Sequence, residues 1–204
     1  ERPMEAMREA IKVIKEADPE FKITLAGNYH EEIQADLYYL AIPYGQKYPE
    51  KVKAERKQKG QYSCVYTCCS EAFPNIFTFS DPAEATWTPI HALAGGYDGF
   101  LRWAIHSWVA DPLRDSRFRS WGAGDTYTVY PGPRSSIRFE RFTEGLQNCE
   151  KIRILREELA AKGAKSKLDK LNKVVSMFTP EGVESTQKSA DEMINELNAL
   201  LNSF

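Results

Sequence analysis

Apolar residues recur at Met4, Met7, Ile11 and Ile14, three or four positions apart, with charged residues filling the intervals. That spacing lays one apolar stripe along a helix. Pro3 suits its first turn, and Asp18-Pro19 ends it. The pattern then changes period. Residues 21–26, 37–42, 62–67 and 99–105 are short runs, apolar nearly throughout; Gly27 follows the first and Pro43 stops the second. Each predicts a buried strand. Residues 48–59 are charged, helix-favouring and closed by Gly60. Asp81-Pro82 offers an N-cap and first turn for a helix over residues 83–93, which Gly95-Gly96 ends.

Strands without polar alternation, separated by helices, predict parallel pairing with both sheet faces covered. The order is helix, strand, short link, strand, helix, strand, helix, strand. This predicts an α/β fold, with four units making half of a (β/α)8 TIM barrel. A complete flavodoxin-like sheet acting in protein interaction is the structural competitor. No Gly-rich phosphate loop follows any strand, which counts against it.

Residues 111–133 carry many Gly, Asp and Pro and little periodicity, so they read as a long loop of the kind that is usually functional. Helical patterning returns over residues 137–159, 168–178 and 184–201. A Lys-, Gly- and Ala-rich stretch at 162–167 reads as a linker. The expected division is therefore a half-barrel over residues 1–161 and a helical extension over 162–204.

Composition narrows the function classes. The chain has 204 residues, 42% hydrophobic and 27% charged, with a net charge of −2, which is ordinary for a folded domain. The near-neutral balance gives no electrostatic reason for a nucleic-acid or anionic-membrane partner. No apolar run approaches the ~20 residues a bilayer span needs. Cys64, Cys68, Cys69 and Cys149 match no zinc or redox spacing. Cys64, Cys68 and Cys69 lie in or beside an apolar strand and read as buried free thiols. The three histidines are too scattered for a metal site, and no cofactor is expected. The chain opens Glu1-Arg2-Pro3 inside a helix start, so it reads as a piece of a longer protein. Half a barrel would leave strand edges unpaired, and the expected partner is the missing N-terminal half or a second copy of the chain.

In a barrel, chemistry sits at the C-terminal strand ends and the loops after them. Those places hold Asn28, Tyr29 and His30; Pro43 and Tyr44; Tyr66 and Thr67; and Trp103, His106 and Trp108. The long loop adds Asp111, Arg114, Asp115, Trp121, Asp125 and Tyr130. Flat aromatic faces mixed with carboxylates and amides suit sugars, whose C–H faces stack on rings and whose hydroxyls need polar partners. Trp87, on a predicted helix, reads as core, and His91 as a helix surface or packing residue. Core packing competes for Trp103, a structural hydrogen bond for His106, and a turn cap for Asp125. Arg138 and Glu140 read as a scaffold ion pair at a helix start.

One stretch carries a resemblance. Gly99-Phe-Leu-Arg-Trp-Ala-Ile-His-Ser-Trp108 is followed by Asp111-Pro-Leu113, Asp115-Ser-Arg-Phe118 and Gly124-Asp125. Then come Val129-Tyr-Pro-Gly132 and Ser135-Ser-Ile-Arg-Phe-Glu-Arg141. Together these motifs resemble the C-terminal part of the catalytic domain of glycoside hydrolase family 123. The resemblance implies strands five to eight of the barrel and retaining cleavage of β-linked N-acetylgalactosamine by an adjacent Asp-Glu pair at the end of the fourth strand. The route it implies is substrate-assisted, one of the exceptions to the two-carboxylate scheme. The Glu is the general acid, the acetamido oxygen of the sugar attacks the anomeric carbon, and the Asp supports that acetamido group. Glu1 aligns with the acid, and its Asp partner would be the residue before it.

The resemblance further implies that Tyr66, Trp103, His106 and Trp108 wall the sugar pocket with Asn28 and His30. Asp111, Trp121 and Asp125 are further candidates for substrate contact. It implies an extracytoplasmic location, periplasmic or secreted. The isolated chain is expected to be inactive. The alternative is a non-catalytic carbohydrate-binding barrel, which an apolar residue before Glu1 would favour.

Overall fold

The computed structural model describes residues 2–118, 120–132 and 134–204, with the backbone alone for Arg2 and Pro3. The chain forms two compact units, one running up to Tyr66 and including Tyr97–Leu101, the other made of Thr67–Gly96 and Arg102–Phe204.

The first unit contains helix α1 (Arg2–Ala17), strands β1 (Ile23–Ala26) and β2 (Leu37–Pro43), helix α2 (Glu50–Gln58), and strands β3 (Tyr62–Tyr66) and β4 (Gly99–Leu101). The strands lie side by side in chain order, and every pair is parallel. Register carries Pro43 onto Tyr66 and Tyr66 onto Leu101, so β2, β3 and β4 end level. The expected parallel sheet is therefore present. The stripe on α1 also falls where its spacing put it: Ile11 is buried, and Met4 and Met7 pack on a core of Ile33, Leu37, Leu40, Ile42 and Tyr48. Fully burying each such aliphatic side chain stabilises by about 1.5–3 kcal/mol. Arg56 of α2 is buried as well, donating to Ser63 Oγ (3.0 Å) and to the Tyr62 (2.9 Å) and Gln34 carbonyls, which ties α2 to β3.

Two strands are shorter than expected. β1 begins at Ile23, leaving Phe21 half exposed, and its burial alternates, as suits an outer strand packed on one face. β4 stops at Leu101 rather than at residue 105. Beyond it the chain pairs elsewhere: Thr128 N donates to Ile105 O (2.9 Å), Ser107 N donates to Thr126 O (3.0 Å), and His106 bridges Tyr127 in antiparallel sense.

The second unit is helical, with α3 (Pro82–Ala94), α4 (Ile137–Ala161), α5 (Lys165–Val175), α6 (Pro180–Thr186) and α7 (Ala190–Leu201). Asp81 caps α3 through Ala83 N, and Glu84 bonds back to Asp81 N, a reciprocal capping box. Trp87 is fully buried and stacks on His91, ring centres 5.1 Å apart at 10°. The expected linker at 162–167 is only a turn, because α5 already starts at Lys165; Gly163 supplies its positive φ of 65°. The single helix expected over 184–201 is two. Gln187 turns left-handed at φ 53°, and Ser189 with Glu192 forms a second capping box that starts α7.

Candidate functional site

In the second unit, residues 102–130 form a loop whose two arms are zipped by the bonds around Ile105 and Thr128. Its aromatic residues stay open. Trp103, Trp108 and Trp121 are 45%, 43% and 39% exposed. Trp103 and Trp121 meet edge to face, ring centres 5.8 Å apart at 67°. Trp108 donates from Nε1 to Val129 O (2.8 Å), and its ring lies 6.0 Å from the exposed His106 ring.

The same loop carries a buried polar network. Arg102 and Asp125 pair at 2.6 Å, with side chains 5% and 0% exposed. Nη2 of Arg102 also reaches the Asp125 carbonyl (2.7 Å), while Nη1 reaches Thr67 O (3.2 Å) and Asn75 Oδ1 (3.3 Å). Burial pushes the Arg102 guanidinium down from its ordinary range, and the charge of Asp125 opposes that. Asn75 is fully buried and gives Nδ2 to the carbonyls of Cys68 (2.6 Å) and Glu71 (2.7 Å). Arg138 donates from Nη1 to the carbonyls of Ile76, Gly124 and Tyr127, each at 2.8 Å. It therefore anchors the loop through carbonyls and does not form the ion pair expected with Glu140, which is exposed. Gly124, at φ 81°, passes so close that a Cβ would stand 2.6 Å from Thr78 Cγ2.

Asp125 thus has no surface to offer a ligand. Asp111 is exposed; its carbonyl closes a turn with Arg114 N and Asp115 N, and its carboxylate lies 3.8 Å from Arg114 Nε. Arg117 grips Asp115 through both carboxylate oxygens and holds that acid down at about 2. In the first unit, Asn28 is exposed and accepts from Gln46 Nε2 (2.8 Å), His30 is half-buried, and Tyr66 closes β3. Glu1 lies outside the described residues. Among the described residues no cluster of three His, Cys, Asp or Glu could hold a metal ion, and no helix is long and apolar enough to cross a membrane. Arg102 and Asn75 escaped the sequence reading as site residues. A charge inside the apolar run 99–105 was the one available signal for Arg102.

The sequence matches the family described as glycoside hydrolase 123, catalytic domain, over residues 1–155. Its fold is similar to that of a family 123 glycoside hydrolase from Clostridium perfringens, studied for glycolipid glycan hydrolysis. The TM-score is 0.71 at 23% identity, over 90% of this chain and 36% of that one. This chain thus spans well under half the length of that relative. No curated protein matches. The resemblance read from residues 97–153 is borne out at the level of the family, and the chain belongs to the glycoside hydrolase 123 catalytic-domain family.

Proposed function

We propose that this chain supplies strands five to eight of a (β/α)8 glycosidase barrel, and that the complete barrel cleaves β-linked N-acetylgalactosamine with retention. The observation that carries this reading is the open pair Trp103 and Trp121 on a loop that begins directly after β4. C-terminal strand ends and the loops after them are where a barrel binds its substrate. Two indole faces at an angle suit a sugar ring. The exposed His106, Trp108 and Asp111 extend the same loop with a hydrogen-bonding ring, a further indole face and a carboxylate.

In the proposed reaction Glu1 gives its proton to the glycosidic oxygen as the bond to the anomeric carbon breaks. The sugar's acetamido oxygen closes on that carbon, forming an oxazolinium. The residue preceding Glu1, an Asp in this reading, steadies the acetamido group. Water then opens the ring as Glu1 takes back a proton. The rest of the barrel comes from the remainder of the protein or from a second copy of the chain, and the enzyme works outside the cytoplasm.

The full-length gene product tests the reading on nitrophenyl β-N-acetylgalactosaminide and β-N-acetylglucosaminide. Faster turnover of the first, with the β-anomer appearing first by proton NMR, is expected. Binding of both sugars with no turnover of either would replace the enzyme with a carbohydrate-binding barrel. Appearance of the α-anomer first would remove the substrate-assisted route.

A further inference from the structure

We propose that Arg102 and Asp125 are a positioning pair that fixes the angle between the Trp103 and Trp121 rings; the use made of those rings rests on the glycan reading above, whereas the clamp itself does not. Arg102 is the chain neighbour of Trp103, and Asp125 lies four residues beyond Trp121. The two tryptophans sit on opposite arms of the loop and are 45% and 39% exposed. Rings that open gain too little from their own packing to hold one orientation, so their geometry is set by the stems that carry them.

The stems meet at the buried pair. One face of the Arg102 fork binds Asp125 through both its carbonyl and Oδ1, at 2.7 and 2.6 Å. The other face binds Thr67 O and Asn75 Oδ1, at 3.2 and 3.3 Å. One planar guanidinium thus joins three separate segments, a task that an ammonium, with its compact point charge, does not match. The Trp121 arm is seated with little slack: a Cβ on Gly122 would stand 2.8 Å from the Phe77 ring, and Ala123 O accepts from Thr78 N at 2.8 Å. A shift of Asp125 is therefore passed along the arm to Trp121.

A buried ion pair is weak evidence of a stabilising device, since an apolar pair of the same volume often serves as well. Directional bonds to three segments are what such a pair offers in addition. Arg102→Lys keeps the charge and loses the fork, and Asp125→Asn keeps Oδ1 and loses the charge.

The test is the nuclear Overhauser contact between the indole protons of Trp103 and Trp121 in the labelled chain. Wild type is expected to show it, and its absence in wild type would overturn the proposal with no variant needed. In Arg102→Lys the contact is expected to fall at least threefold while the buried Trp87 signals stay in place. A contact that survives in both folded variants overturns the proposal, and so does one lost only together with a wholesale shift of the Trp87 signals. In the full-length enzyme, Arg102→Lys is expected to raise KM about tenfold with kcat nearly unchanged; equal loss in both at an unchanged melting temperature overturns the positioning role. If the full-length protein cleaves no hexosaminide, the glycan reading fails while the Overhauser result still decides the clamp.

Discussion

Gly145 of α4 lies directly against Thr86 of α3: a Cβ at position 145 would stand 2.4 Å from the Thr86 carbonyl oxygen and 3.0 Å from Pro89 Cγ. The two helices approach this closely only because the residue has no side chain. Gly145→Ala would gain up to about 1 kcal/mol in helix propensity. Forcing the helices apart costs typically 1–3 kcal/mol. The clash is with backbone, which cannot rotate away, so net destabilisation is expected. A urea midpoint lower than wild type checks it, and a higher midpoint would show that α3 and α4 can separate freely.

A second stability prediction concerns pH. His91 is buried against Trp87, and its Nδ1 lies 2.9 Å from Phe178 O. Burial pulls its pKa from 6.5 down to about 4, with Phe178 O and the charge of Glu181 opposing. The unfolded chain therefore binds a proton that the folded chain refuses between those two values. By linkage, this group's contribution to stability is full above pH 6.5 and falls as pH drops toward 4. A shift of that size corresponds to at most about 3 kcal/mol. Urea unfolding of wild type and His91→Gln across pH 7.5 to 4.5 isolates the group: the gap between them should narrow toward acid pH. A constant gap would mean that His91 is not neutralised by burial.

The sequence was legible wherever one element decides its own structure. The Met4, Met7, Ile11 stripe, the presence and order of four strands and the Asp81-Pro82 start all read correctly, since spacing and caps are local, although β1 and β4 prove shorter than their apolar runs. It was illegible where distant segments decide. β4 ends at Leu101, just before Arg102, whose partners Thr67, Asn75 and Asp125 lie too far along the chain for any local pattern to join them. The same holds for Arg138, whose carbonyl partners span Ile76 to Tyr127. The break at Gln187 was a different kind of omission: Ser189 and Glu192 stand three apart, a local capping signal that the expected helix over 184–201 ran straight through. The candidate aromatic residues were identifiable from position, which set Trp87 on a helix as core and Trp108 and Trp121 beyond the strands; coordinates were needed for Trp103, where core packing competed and the ring proves open.

Thiol chemistry gives a third check. Of the thiols expected to be buried beside β3, only Cys64 is; the chain leaves the sheet after Tyr66, so Cys68 is half-buried and Cys69 exposed, while Cys149 is held up at about 12 by burial. The thiolate is the reactive form, and it must also be reached. In native protein at pH 8, an aromatic disulfide reagent should label Cys69 first and leave Cys64 and Cys149 intact until denaturant is added. Peptide mapping after partial labelling checks the order. Early modification of Cys149 would place α4 further from its neighbours than the structure has it.

The carbonyl cage around Arg138 supports the last prediction. Its Nη1 serves the carbonyls of Ile76, Gly124 and Tyr127 at 2.8 Å, and its guanidinium lies 5.4 Å from the Tyr127 ring centre. Arg138→Met keeps much of the volume and removes every donor. Each buried acceptor left bare costs about 1–3 kcal/mol, but the loop can shift to wet some of them, so a loss of about 3 kcal/mol overall is expected. The damage should be local first. Amides of residues 124–128, and Thr128 N with its bond to Ile105 O, should exchange with solvent faster than in wild type, while those of the β2–β3 ladder keep their protection. Uniform loss of protection throughout the chain would instead make Arg138 a determinant of global stability rather than an anchor of this loop.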